Sequence, residues 1–242
     1  MGYKGIVTIV LFVLAAAPVG ADWHTGVAAF QNGDFPAAME AFTAVVDRSP
    51  NYAGAHFMLG LTLQRLDRLE EALLALQEAN RLEPGHAGYA MAVARALLEV
   101  DRADEAERAL EGVTLEGLPD QQAQLVLVTR AQVARAGGDE ECALDLFRQA
   151  VEVDGANAGV MSQYALSLAR LSRHQEAFGA FRRAWEAGRN QSVGKNACAA
   201  GLRAAQEAAT DRERVDLFRG VAEVAAEMHE RHPDPGHGVA GR

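Results

Sequence analysis

The stretch from Asn51 to Gly85, NYAGAHFMLGLTLQRLDRLEEALLALQEANRLEPG, decides the fold. Leu59-Gly60, Leu63, Ala72, Leu76, Ala79 and Pro84 stand where two packed antiparallel helices need them. Small residues fall where the helices approach, large apolar ones a helical turn further along the same face, and a proline where the second helix stops. The break between the two helices is Asp67-Arg68.

This unit recurs. Set in register, Ala38, Ala72, Ala106, Ala143 and Ala177 are separated by 34, 34, 37 and 34 residues, a period that marks a helical repeat. Four residues after each comes Phe42, Leu76, Leu110, Phe147 or Phe181, and twelve before each comes Gly26, Gly60, Ala94, Ala131 or Ala165. The small positions let the helices of a hairpin close up, and the large ones fill the space between neighbouring hairpins. Gly33-Asp34, Asp67-Arg68, Asp101-Arg102, Gly138-Asp139 and Ser172-Arg173 supply turn-forming or helix-starting residues where the chain reverses. The three extra residues of the 37-residue spacing fit a loop from Gly112 to Pro119, with the preceding helix stopping near Gly112.

Composition agrees with an all-α reading. The 242 residues are 49% hydrophobic but only 6% aromatic, with seven prolines. Runs of Val, Ile and Thr alternating with polar residues are scarce outside the first twenty positions. The formal charge of −10 argues against nucleic-acid binding, which needs a concentrated Lys/Arg surface.

The first 21 residues are of a different kind. Met1 to Lys4 is short and positive, Gly5 to Ala17 is apolar, and Val19-Gly20-Ala21 sets small residues before a cut ahead of Asp22. The pattern is that of a secretory signal peptide, whose loss would take Lys4 and move the charge from −10 to −11. An uncleaved anchor is the competing reading, but Pro18 interrupts the segment and it is shorter than the roughly 20 apolar residues a span needs. Export is therefore expected, to the periplasm if the source is a Gram-negative bacterium, with no membrane span after cleavage. Cys142 and Cys198 lie about two repeats apart, too far for a bridge that needs Cα atoms within roughly 7 Å.

The repeat resembles the tetratricopeptide repeat family, whose 34-residue pattern runs aromatic, Leu-Gly, Tyr, then Ala, Phe and Pro. Residues 53–86 are the best match, with His56 and Leu63 where the family often has Trp and Tyr. Residues 22–52 keep Gly26, Ala38, Phe42 and Pro50, residues 87–120 are looser, and 121–156 and 157–190 keep Ala and Phe but lose the closing proline. The resemblance implies a right-handed superhelical solenoid of about five antiparallel helix pairs. Residues 191–231 are expected to form an atypical helical cap from 192–208 and 211–231, the latter with Val215, Phe218, Val221, Ala222 and Ala225 at helical spacing. Such a cap should cover its neighbour without exposing a new apolar face. The Pro-, Gly- and His-rich residues 232–242 are expected to be disordered.

In this family the first helices of successive pairs line a groove. The resemblance then implies one row of Trp23, Phe57, Met91, Val128 and Ser162, and a second of Val27, Leu61, Arg95, Gln132 and Leu166. A third holds Phe30, Gln64, Arg65, Leu98, Arg135 and Arg170, with Arg203 continuing it. Apolar and aromatic toward the N-terminus and richer in arginine toward the C-terminus, it suits a peptide with hydrophobic anchors and acidic groups. The bland alternative is that the aromatic row is packing and the arginines are solvated. The family's clamp for a C-terminal carboxylate uses Lys and Asn, which Trp23 and Val27 replace here.

Little points to catalysis or a cofactor. No G-x-S-x-G surrounds a nucleophile, the cysteines are isolated, and His229-Glu230-Arg231-His232 lacks the i, i+4 pair of a zinc helix. The expected function is a non-catalytic protein-interaction scaffold or adaptor that assists assembly of an envelope complex. The rival is a homo-oligomeric scaffold assembled through its groove and terminal helix.

Overall fold

The computed structural model describes residues 19–231 and is all-α, with twelve helices and no strand among the described residues. They are α1 (Val19–Gln31), α2 (Phe35–Arg48), α3 (Ala53–Arg65), α4 (Leu69–Leu82), α5 (Ala87–Glu99), α6 (Ala103–Leu110), α7 (Asp120–Ala136), α8 (Glu140–Val153), α9 (Ala158–Arg170), α10 (His174–Gly188), α11 (Gln191–Glu207) and α12 (Asp211–Arg231). Each odd-numbered helix packs on the even-numbered helix that follows. The chain divides between Glu83 and Pro84 into two compact units. In the first, α2 also packs on α3; in the second, α7 packs on α5 and α6, α8 on α9, and α10 on α11.

The five predicted turns share one geometry. Gly33, Asp67, Asp101, Gly138 and Ser172 all have positive φ, between 57° and 88°. The next residue in each case donates its backbone N–H to the carbonyl five positions back, at 2.9–3.0 Å, the 6→1 bond of a Schellman motif. Two cap chemistries then start the second helix. After glycine, Asp34 and Asp139 accept from the amides of Ala37 and Cys142. After Asp or Ser, the cap residue is Arg68, Arg102 or Arg173, and its guanidinium reaches Glu71, Glu105 or Glu176 three residues on at 2.5–2.8 Å. These hydrogen bonds hold the three carboxyls below the usual glutamate range.

The alanine register is the core register: Ala38, Ala72, Ala106, Ala143 and Ala177 are all fully buried. Their partners vary with the space available. At Gly60 an added Cβ would lie 2.6 Å from Leu76 Cγ, and at Gly26 2.8 Å from the Phe42 ring, whereas Ala94, Ala131 and Ala165 carry a methyl with no exposure. The extra residues of the third repeat follow the eight-residue α6, whose open C-terminal end is closed by Arg130 donating to the carbonyls of Leu110 and Val113 at 3.1 and 2.6 Å. Where the fourth repeat lacks a proline, buried Gln124 donates to the carbonyls of Ala150 and Asp154 and accepts from Asn157, which itself caps α9.

The cap departs from expectation in its facing. The seam of α12 is Leu217, Gly220 and Val224, with Val221 and Met228 packed beside it, while Val215 and Phe218 are 54% and 46% exposed. Glycines set this rotation: a Cβ at Gly201 would meet Val221 at 2.4 Å, and one at Gly220 would meet the Phe178 ring at 3.0 Å. The cap therefore does expose an apolar face, contrary to the sequence expectation. The cut before Asp22 falls within α1, and the leader call on 1–18 and the disorder call on 232–242 lie outside the described residues.

Candidate functional site

In the first unit, the expected groove residues close on themselves at both ends. Trp23 packs edge-on against Phe42 at 5.6 Å between ring centroids and tilted against Tyr52 at 5.2 Å. At the other end Phe30 meets Phe35 at 5.6 Å, and the Arg65 guanidinium sits 5.8 Å above the Phe35 ring. Val27, Phe57 and Leu61 lie between these clusters, each half-buried. Trp23 and Phe30 are thus packing residues of the first hairpin as much as surface.

In the second unit the arginines separate into two kinds. Arg135 of α7 is held by both neighbouring helices: it donates to Gln163 at 3.0 Å and Ser167 at 3.1 Å on α9, lies 4.7 Å over the Phe147 ring, and stands 3.6 Å from Glu140 at the start of α8. Its side chain is 17% exposed. Burial pushes its pKa down and Glu140 opposes the shift; the guanidinium stays charged because an ordinary arginine titrates so high. Arg170 shares Glu140 at 3.2 Å. Arg135 therefore joins two hairpins rather than offering a free cation. Arg95 and Arg203 are exposed and have no carboxylate partner among the described residues.

Between α9 and α11, beside α10, a cleft of about 160 Å³ opens, lined by Leu166, Ala169, His174, Phe181, Asn196, Ala199, Ala200 and Arg203. His174 is 8% exposed and donates through Nδ1 to Glu207 at 3.0 Å. The walls are apolar, and Asn196 and Arg203 stand ready to orient a polar group. Met91, Leu98 and Gln132 are half-buried on α5 and α7, so the second-unit row runs Met91, Arg95, Leu98, Gln132, Leu166, Arg203. Sequence reasoning missed Asn196 and Ala199 because the repeat register ends near Gln191; extending the 34-residue step from Leu166 reaches Ala200 and would have found this turn of α11. It missed His174, at the start of α10, because only first helices were read as groove-lining.

Cys142 and Cys198 are free thiols, with burial first among the causes raising both pKa values. No group of three metal-ligating side chains occurs among the described residues, and no helix there is long and apolar enough to cross a membrane.

Residues 29–95 match the tetratricopeptide repeat family model. No curated protein matches the chain in sequence. Among solved structures, PilF of Pseudomonas aeruginosa superposes with a TM-score of 0.68 at 16% identity, covering 89% of this chain and 92% of its own. PilW, described as a type IV pilus biogenesis factor, gives 0.66 at 11% identity over 90% and 95%. YrrB, described as a protein of this family with an unusual peptide-binding site, gives 0.59 at 18% over 78% and 95%. Residues 29–95 thus resemble the tetratricopeptide repeat, and the chain shares the fold of these solved repeat proteins over most of its length.

Proposed function

We propose that the protein is a non-catalytic scaffold that binds a peptide or protein segment on the faces of its first helices and assists assembly of a complex in the cell envelope. One observation carries the binding reading: the α9–α11 cleft combines apolar walls at Leu166, Ala169 and Ala199 with the exposed cation of Arg203, which has no carboxylate partner among the described residues. A partner segment that places an apolar side chain in the cleft and a carboxylate beside it satisfies both. Arg95, exposed on α5 and likewise without a carboxylate partner among the described residues, extends the preference for acidic groups. Val27, Phe57, Leu61 and Arg65 form the corresponding candidate face of the first unit. The envelope setting rests on the charged-then-apolar leader of residues 1–17, and PilW supplies a precedent on the same fold at low identity.

A photoreactive residue at Leu166 or Arg203 tests the reading in cells. Capture of a discrete protein from these positions, and not from exposed Arg148 on α8, is the expected result. Equal capture from Arg148, or none from the cleft, contradicts it.

A further inference from the structure

The exposed side of α12 is complementary to itself. Val215, Phe218, Ala222 and Ala225 are all exposed and spaced by three, four and three residues, the pattern of a seam between two helices. Large residues occupy its first half and small ones its second. In an antiparallel pairing centred on residue 220, Val215 meets Ala225 of a second copy and Phe218 meets Ala222 of that copy, so each layer sets a large side chain against a small one. A parallel pairing stacks phenylalanine on phenylalanine and alanine on alanine, leaving voids.

The charges bordering the seam fit the same pairing. One edge carries Arg212, Arg219 and Ala226 at seven-residue spacing, with Glu223 and Glu230 just behind it. Arg212, Glu223 and Glu230 are exposed and have no ion-pair partner among the described residues. In the antiparallel arrangement Arg212 comes within two residues, about 3 Å along the axis, of Glu230 in the second copy, and Arg219 equally close to its Glu223. The small Ala226 of that copy lies across the seam from Arg212 and leaves the path to Glu230 open. Arg219 holds Asp216 of its own helix at 3.0 Å, with both side chains more than half exposed. At the twofold axis the two Arg219 side chains approach, but each lies between its own Asp216 and the other copy's Glu223, so two cations meet four carboxylates. A parallel pairing instead turns this edge toward Arg214, Val221 and Met228 of the second copy, none of which is a carboxylate.

We propose that α12 is a dimerisation helix, pairing antiparallel with α12 of a second copy through the 215–218–222–225 seam. The interface is isologous, so it closes at two copies. Because it lies apart from the α9–α11 cleft residues, a dimer carries two cleft faces, and a partner with two binding segments gains through effective concentration.

Sedimentation of the full chain over about a hundredfold range of concentration reads the equilibrium directly. A reversible monomer–dimer transition is expected. Phe218→Glu weakens it by about a hundredfold or more. Arg212→Glu weakens it about fivefold by opposing Glu230 in two symmetric places, and adding Glu230→Arg restores it to within about twofold by reversing both charges. These two positions are 18 residues apart on one helix, too far to touch within a chain, so the rescue reports contact between copies. Circular dichroism confirms that each variant is folded. A monomer at every concentration overturns the proposal, as does a dimer indifferent to Phe218→Glu, or a double reversal no better than the single one. Leu166→Asp leaves the dimer unchanged, so failure of the cleft reading and failure of the dimer are separable.

Discussion

Replacing Gly60 with alanine tests how the hairpins are closed. The new methyl would lie 2.6 and 2.8 Å from Cγ and Cδ2 of Leu76 and 3.1 Å from the Ala72 carbonyl oxygen. Leu76 is fully buried, and Cγ is not the free end of a flexible chain, so either the leucine leaves its rotamer or the helices part. Such overpacking costs about 1–3 kcal/mol. Alanine in a helix interior returns about 1 kcal/mol relative to glycine. A 2.6 Å approach to a fully buried leucine puts the cost in the upper part of that range, about 2–3 kcal/mol, so the net expectation is a loss of about 1–2 kcal/mol, opposite in sign to helix propensity. Leu76→Ala alone should cost about 2–5 kcal/mol through the cavity it leaves. In the double variant the methyl added at position 60 enters space the leucine vacated, so the combined loss should fall short of the sum by about 1–2 kcal/mol. Urea unfolding followed by circular dichroism measures all three. A Gly60→Ala protein as stable as the parent, or a double variant that is strictly additive, refutes the close-approach argument.

Three further outcomes are expected. Asp67→Gly relieves a non-glycine residue at φ 59° and should stabilise by about 0.5–1 kcal/mol net of glycine's chain entropy; an unchanged urea midpoint for it and for Asp101→Gly and Ser172→Gly contradicts the turn assignment. Arg135→Ala severs contacts from α7 to Phe147, Gln163 and Ser167 and should cost about 2–3 kcal/mol, with Arg135→Lys recovering little because the fork and stacked plane are lost; full recovery by lysine shows that charge alone mattered. Glu71, Glu105 and Glu176 have lowered pKa values, so their contribution is present above the unfolded glutamate pKa of about 4.3 and is lost as pH falls through the folded values. Changing all three to glutamine should flatten the fall in urea midpoint between about pH 7 and pH 3, and an unaltered fall contradicts the cap role of these pairs.

The hairpins were legible because their signals are local. Alanine every 34 residues, a left-handed residue at each turn and a capping residue after it specify helix, reversal and helix within a single repeat. Even the gap after α6 shows as the 37-residue step. What crossed between repeats was hidden. Arg135 reads as one more groove arginine until Gln163, Ser167 and Phe147 are seen around it. The facing of α12 depends on Gly201 and Gly220 meeting side chains of other helices, which no periodicity within α12 encodes. Trp23 stands in the expected aromatic groove row, which suggested recognition, yet Phe42 and Tyr52 pack against its ring. The α9–α11 cleft needed the register carried past Gln191, where the repeat signature itself had faded.

The central claim is that partners bind on the first-helix face, and the most direct test uses the segment captured by crosslinking from Leu166. Titrated against the purified protein, that segment should bind Leu166→Asp and Arg203→Glu each at least about tenfold more weakly, in proteins whose circular dichroism and unfolding match the parent. The same affinity in both folded variants would contradict the account.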